Sequence, residues 1–246
     1  IIDSMFVKLA LQRVNRIVAI SQSTALDIER LCPGAKPRIT VIPLAADLMF
    51  KKKQPDAKVI IRHKIEKPYI LSVGTIEPRK NHLSLLKAYK LLPKVLRDKY
   101  DLVIVGKRGW RCGHIMHAIE EAVQLGSVKY LEFLSDGELV HIYNGATLFV
   151  YPSFYEGFGL PVVEAMSCGL PVITSNVSSL PEVGGEAAVL IDPNDIKSLS
   201  EAMSTLLSSN KMLQSLSKKS IQQSNLFSWD ISAKKVLEVI DSVVSK

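Results

Sequence analysis

Residues 148–166 read Leu-Phe-Val-Tyr-Pro-Ser-Phe-Tyr-Glu-Gly-Phe-Gly-Leu-Pro-Val-Val-Glu-Ala-Met: an apolar run, a loop carrying two glycines, then a segment of helical period. Pro161 stands where the first turn of a helix tolerates a missing N–H. A turn at Cys168-Gly169-Leu170-Pro171 returns the chain to another β-branched run. The stretch is therefore one strand–loop–helix unit leading into a further strand. The same alternation extends outward in both directions, and it predicts an α/β fold with a Rossmann-like parallel sheet flanked by helices. Strands are expected at 17–20, 39–42, 69–73, 102–105, 128–133, 148–151, 172–174 and 188–191, and their near-continuous apolar character suits burial on both faces. Helices are expected at 22–31, 82–96, 115–125, 136–144, 160–168 and 196–208, the first capped by Ser21 or Ser23 and the second by Asn81.

The chain has 246 residues, 47% of them hydrophobic and 22% charged. Its apolar runs, such as 146–152, are far shorter than the ~18 residues that a membrane-spanning helix needs. Cys32, Cys112 and Cys168 lie far apart, which fits neither a disulfide framework nor a zinc site and points to a reducing cytoplasm. The net charge of +7 favours anionic partners. Lys51, Lys52 and Lys53 suit either a solvated linker or lipid headgroups, so peripheral attachment at the inner face of a membrane stays open. No nucleic-acid motif or aromatic-basic platform is present, and no Gly-x-Gly-x-x-Gly follows a strand as a dinucleotide site requires.

Two loops hold the chemistry. Val73-Gly74-Thr75-Ile76-Glu77-Pro78-Arg79-Lys80-Asn81 follows a strand, and ligands of open α/β sheets sit at the carboxyl ends of strands. There a glycine admits close approach, while a guanidinium fork and an ammonium together can neutralise a diphosphate. An exposed basic pair at a helix start is the plain alternative. In the second loop, Glu156 precedes Gly157, Phe158 and Gly159, and Glu164 follows Pro161 by about one turn. Carboxylates so placed can accept hydroxyl hydrogen bonds from a sugar or ribose, or they can be a turn residue and a solvated helix residue. His114 and His117, spaced i, i+3, lack a companion ligand and read as surface residues.

Glu156 and Glu164, bracketing seven residues in Glu-Gly-Phe-Gly-Leu-Pro-Val-Val-Glu-Ala-Met, resemble the E-x7-E signature of the retaining glycosyltransferase family four, which has the GT-B fold. Gly74-Thr-Ile-Glu-Pro-Arg-Lys-Asn81 resembles that family's phosphate-contacting loop. The similarity also takes in residues 17–23 and 227–229. It implies catalytic roles for Arg79 and Lys80 on the donor diphosphate and for Glu156 at the donor sugar. It implies donor binding by Gly74, Gly106, Leu134, Gly157, Phe158, Gly159, Leu160 and Glu164, the last through the ribose. Leaving-group stabilisation of this kind is metal-independent and uses no cofactor, since the GDP- or UDP-linked sugar is itself the substrate. Attack on the donor's front face, rather than a covalent step through Glu156, is implied.

The wording of the 74–81 and 106–110 loops further resembles bacterial polysaccharide mannosyltransferases, which points to a hexose, mannose from GDP-mannose, moved to a glycan or lipid-linked acceptor. Residues 1–46 are expected to be the end of an acceptor domain, 47–228 the donor domain, and 229–246 a helix crossing back to the first. The chain opens Ile-Ile-Asp-Ser-Met-Phe, with no initiator Met and no basic or long apolar start, and is expected to begin partway through that first domain. A nucleotide-sugar-binding module without transfer activity is the competing expectation.

Overall fold

The computed structural model describes residues 2–244. In chain order the elements are α1 (Ile2–Arg13), β1 (Ile17–Ala19), α2 (Gln22–Leu31), β2 (Ile39–Val41), α3 (Ala57–Arg62), β3 (Tyr69–Val73), α4 (His82–Leu91), α5 (Lys94–Lys99), β4 (Asp101–Val105), α6 (Gly113–Gln124), β5 (Val128–Leu131), α7 (Asp136–Gly145), β6 (Leu148–Tyr151), α8 (Leu160–Ser167), β7 (Val172–Ser175), α9 (Leu180–Gly184), β8 (Ala188–Ile191), α10 (Ile196–Leu207), α11 (Asn210–Ser224) and α12 (Trp229–Val244). Strands β1 and β2 pair with each other, while β3 to β8 form a parallel sheet in the order β5-β4-β3-β6-β7-β8.

Period-two alternation builds two cores from one set of strands. On β3 and β4, Leu71, Val103 and Val105 face one side, with Phe149, Val163 and Met166. Ile70, Leu102 and Ile104 face the other, with Leu85, Ile119 and Met203. From β3 the chain winds outward through β4 to β5, then returns to lay β6 against the free edge of β3 and winds the opposite way. The carboxyl ends of β3 and β6 therefore flank the point where the winding reverses, and open α/β sheets bind their ligands at such points.

Every predicted strand is present, although β5 stops at Leu131, two residues before the predicted end. The long helix predicted at 82–96 is two: α4 ends at Leu91 and α5 begins at Lys94, because Pro93 cannot continue a helix. Asn81 occupies the N-cap position of α4 but does not cap it. Its backbone is left-handed, with φ 58°, and its side-chain amide donates instead to the carbonyls of Pro152 and Pro193. Ser21 does cap α2, accepting from Thr24 N. Helices α1, α3, α9 and α11 were not anticipated. The 44–58 stretch is irregular up to α3, yet it is tied down: Ala45 and Phe50 are buried, and Phe50 meets Tyr143 edge to face.

The last helix reaches the small β1–β2 sheet and its flanks. Ser232 Oγ donates to the Pro43 carbonyl at 2.6 Å, and Arg16 Nε donates to Ser242 Oγ at 3.3 Å. Ile231, Leu237 and Ile240 on α12 are exposed. Lys51, Lys52 and Lys53 are also exposed. Among the described residues no helix is long and apolar enough to cross a membrane.

Candidate functional site

Both chemistry-bearing loops meet at the reversal point. The β3 loop ends in a short 3-10 turn, Pro78–Lys80, and its Arg79 carbonyl accepts from Phe154 N at 2.9 Å, so the two loops are stitched through main chain. Arg79 Nη1 donates to Glu156 Oε2 at 2.6 Å and to the Tyr155 carbonyl at 2.7 Å, and its Nη2 donates to Glu77 Oε1 at 2.6 Å. Lys80 Nζ donates to Glu156 Oε1 at 2.6 Å and to the Tyr151 hydroxyl. Tyr151 in turn donates to Glu156 Oε1 at 2.8 Å. Burial alone would raise the Glu156 carboxyl, but the Lys80 ammonium and the Tyr151 hydroxyl outweigh it and hold the group below the ordinary carboxylate range.

Glu164 lies apart from this cage. It accepts from the Tyr143 hydroxyl at 2.8 Å, and burial pushes its carboxyl above the ordinary range, against the pull of that hydrogen bond. A run of aromatic rings, Tyr143–Phe149–Tyr151, joins the two carboxylates at centroid spacings of 5.6 and 5.9 Å. The two glutamates that the sequence placed in one motif thus end in unlike surroundings, one ion-paired and one facing a phenol.

Among the other expected donor residues, Gly159 has φ 112°, a left-handed conformation that strains any side chain, and it stands at the N-cap of α8. The Gly157 carbonyl accepts from Ser21 Oγ at 2.6 Å and Thr24 Oγ1 at 3.1 Å. Phe158 is buried edge-on to Phe227, and its carbonyl accepts from Ser179 Oγ at 2.8 Å. Leu160 opens α8 and is partly buried. Gly74 sits against the Tyr151 ring and the Lys80 stem. Gly106 packs on the Gly74 carbonyl, and Leu134 is buried in the core. His114 and His117 are exposed, and His117 pairs with Glu121 at 3.2 Å. Among the described residues no group of three His, Cys, Asp or Glu side chains gathers as a metal site.

Sequence reading missed Tyr151, Tyr143, Glu77 and the loop's outer anchors. Tyr155 donates to Asp27 on α2, and the Glu182 carboxylate on α9 accepts from Gln22 N and Ser23 N at 2.9 and 3.0 Å. A negative group at that helix start is electrostatically favoured. Only Tyr151 left a local signal, a hydroxyl at the last position of an otherwise apolar strand.

His82, the first residue of α4, is buried with no partner on Nδ1. Burial, aided by the Lys80 charge, pushes its pKa from 6.5 down to about 4. The unfolded chain takes up this proton first, so stability should be level above pH ~6.5 and fall by roughly 3 kcal/mol as pH drops towards 4. Urea unfolding of wild type and His82→Phe at pH 7 and pH 4.5 checks this. The variant's deficit should shrink or reverse at the lower pH, and a pH-independent gap would show that His82 is not the responsible group.

A cation pair, a glycine loop opening a helix, and a second carboxylate deeper along that helix define the site, and comparison with known proteins then places the chain. The family profile described as "Glycosyl transferases group 1" matches residues 53–223. The chain belongs to this family. Over 224 residues it is 38% identical to O-antigen chain mannosyltransferase B of Escherichia coli, covering 90% of this chain and 59% of that protein. It superposes with a TM-score of 0.84 and 26% identity on sucrose-phosphate synthase from Thermosynechococcus elongatus, covering 98% of this chain and 61% of that one. It also matches Anabaena HepE, solved with UDP and glucose, at a TM-score of 0.84 and 19% identity, covering 97% of this chain and 66% of that one. The architecture is the GT-B sheet of these glycosyltransferases, and the chain spans less than two thirds of each relative's length.

Proposed function

We propose that this chain carries the donor site of a retaining glycosyltransferase that moves mannose from GDP-mannose to a glycan or lipid-linked acceptor in polysaccharide assembly, without a metal. One observation carries the reading: Arg79 and Lys80 converge at the winding reversal beside the glycine loop that opens α8. A diphosphate lodged there meets a guanidinium fork and an ammonium. Both strengthen their hold as the bond from sugar carbon to phosphate oxygen breaks and charge builds on the departing diphosphate. The acceptor hydroxyl attacks the same face, and its proton passes to a diphosphate oxygen. Glu164 takes the ribose hydroxyls and Glu156 the hexose. The Escherichia coli relative's name supports mannose as the sugar, and the UDP and glucose of the Anabaena structure support a nucleotide sugar as the ligand class.

Thermal melting with GDP, UDP, ADP and their sugars tests this. GDP and GDP-mannose should stabilise the chain selectively, by ~2.7 kcal/mol at a hundredfold excess over Kd. Arg79→Ala and Glu164→Gln should lose most of that shift. A shift that Arg79→Ala leaves intact places the nucleotide elsewhere and removes the reading.

A further inference from the structure

The charges at the site are paired with one another. Arg79 and Lys80 supply two positive charges, and Glu77 and Glu156 supply two negative ones, all within 2.6 Å contacts. Taken together, these four side chains offer an incoming diphosphate no net positive charge, although two of them are cations. Glu156 fills the space between them, with one oxygen on each cation.

The loop around that carboxylate is pinned. Glu156 N donates to Ser178 Oγ at 2.9 Å, and the Glu156 carbonyl accepts from Ser179 Oγ at 2.9 Å. Ser178 itself holds a left-handed backbone, with φ 54°, an uncommon conformation kept only where the surroundings fix it. Main chain on both sides of the Glu156 Cα is therefore fixed, and its side-chain torsions are what can change. Tyr151, rooted in the sheet, steadies the carboxylate in its inward position.

We infer that Glu156 is a resident counter-ion, holding Arg79 and Lys80 in place in the free chain and giving way between them to the donor diphosphate. This rests on the donor-site reading above and adds an order of events to it. The carboxylate keeps two like charges together while the site is empty, then leaves the cations for the hexose as the phosphates arrive. Tyr151 is a positioning residue for the inward state. No bond is made or broken in the exchange.

The consequence runs against that of a residue whose sole role is to touch sugar. Without a hexose in the ligand, a sugar contact contributes nothing, so Glu156→Gln would leave GDP affinity unchanged. A counter-ion competes with the diphosphate, so the same change should tighten it. Calorimetric titration of wild type, Glu156→Gln, Tyr151→Phe and Arg79→Ala with GDP and with inorganic pyrophosphate separates the two. Glu156→Gln should bind both ligands about tenfold more tightly or better, a change worth ~1.4 kcal/mol. Tyr151→Phe should bind them about two- to threefold more tightly, since it removes one of the hydrogen bonds steadying the inward carboxylate.

GDP affinity that is unchanged or weaker in Glu156→Gln, with binding still lost in Arg79→Ala, overturns the counter-ion role and leaves the donor site standing. Should Glu156→Gln fail to fold, unchanged or weaker binding by Tyr151→Phe overturns it equally. GDP binding that is absent in wild type, or intact in Arg79→Ala, overturns both.

Discussion

Gly106→Ala should be among the most destabilising single-methyl changes in this chain, lowering its melting temperature by about 10 °C and abolishing nucleotide-dependent stabilisation. A Cβ at position 106 would lie 1.9 Å from the Gly74 carbonyl oxygen and 2.7 Å from its carbon. Those are backbone atoms, and they are held: Gly74 N donates to the Val105 carbonyl at 2.9 Å, and Ile76 N donates to the Lys107 carbonyl at 2.8 Å. Overpacking usually costs ~1–3 kcal/mol. Here the obstacle is main chain in both partners, so relief requires breaking the register that carries Gly74 into the 74–81 loop. A cost of ~3 kcal/mol or more is expected, a large share of the ~5–15 kcal/mol that holds a folded domain together. Gly113→Ala is the control. It lies at the first position of α6 with nothing within 4 Å of its added methyl, and alanine there should be neutral or mildly stabilising. Equal melting temperatures for the two variants would show that the close approach at Gly106 is not what fixes the loop.

That glycine also shows how far the sequence could be read. Gly106 stood among the expected donor residues through the family resemblance of the loop it opens, and the structure gives it a packing reason that no single-chain spacing reveals: it faces a carbonyl 32 residues earlier, across β3 and β4. The strands were legible because β-branched runs buried on both faces leave an unbroken apolar signature, and the order of strand, glycine loop and helix picked out the two loops that meet where the winding reverses. Helix α11 was not legible, since Asn210–Ser224 is rich in Ser, Gln and Lys and buries only Ser220 and Ser224 fully. The 82–96 helix was read through Pro93 because the apolar period continues across the break, and period alone does not register a missing N–H. At the site, Arg79, Lys80, Glu156 and Glu164 were visible as charged residues in glycine-bearing loops. Their partners were harder to read: Tyr143 reaches Glu164 from a different helix, α7, and Tyr151, five residues before Glu156, left only a hydroxyl at a strand end as its signal.

Lys80→Met should destabilise the chain by about 3 kcal/mol at neutral pH, and Glu156→Gln added to it should return most of that loss. The Lys80 and Glu156 side chains are 10% and 8% exposed. Removing one member of a buried ion pair strands the other, which typically costs ~3–5 kcal/mol. Arg79 and Tyr151 still hold the Glu156 carboxylate, which argues for the lower end. The double variant has no stranded charge, and a neutral amide can still bond Tyr151 and Arg79, so the pair should show a coupling of ~1–3 kcal/mol in a double-mutant cycle. The sign with pH follows from the depressed Glu156 carboxyl in the wild type. Its contribution is fully present above the ordinary carboxylate range and is lost as pH falls through the lower, folded value. In Lys80→Met that carboxyl titrates higher, because burial is less opposed, so acid neutralises the stranded charge and the deficit relative to wild type narrows below about pH 4.5. Urea unfolding of the four proteins of the cycle at pH 7.5 and pH 4 measures both effects. Additive losses with no change across pH would mean that Lys80 contributes by packing its stem against Tyr151 and Gly74, and that its charge is reserved for a bound anion.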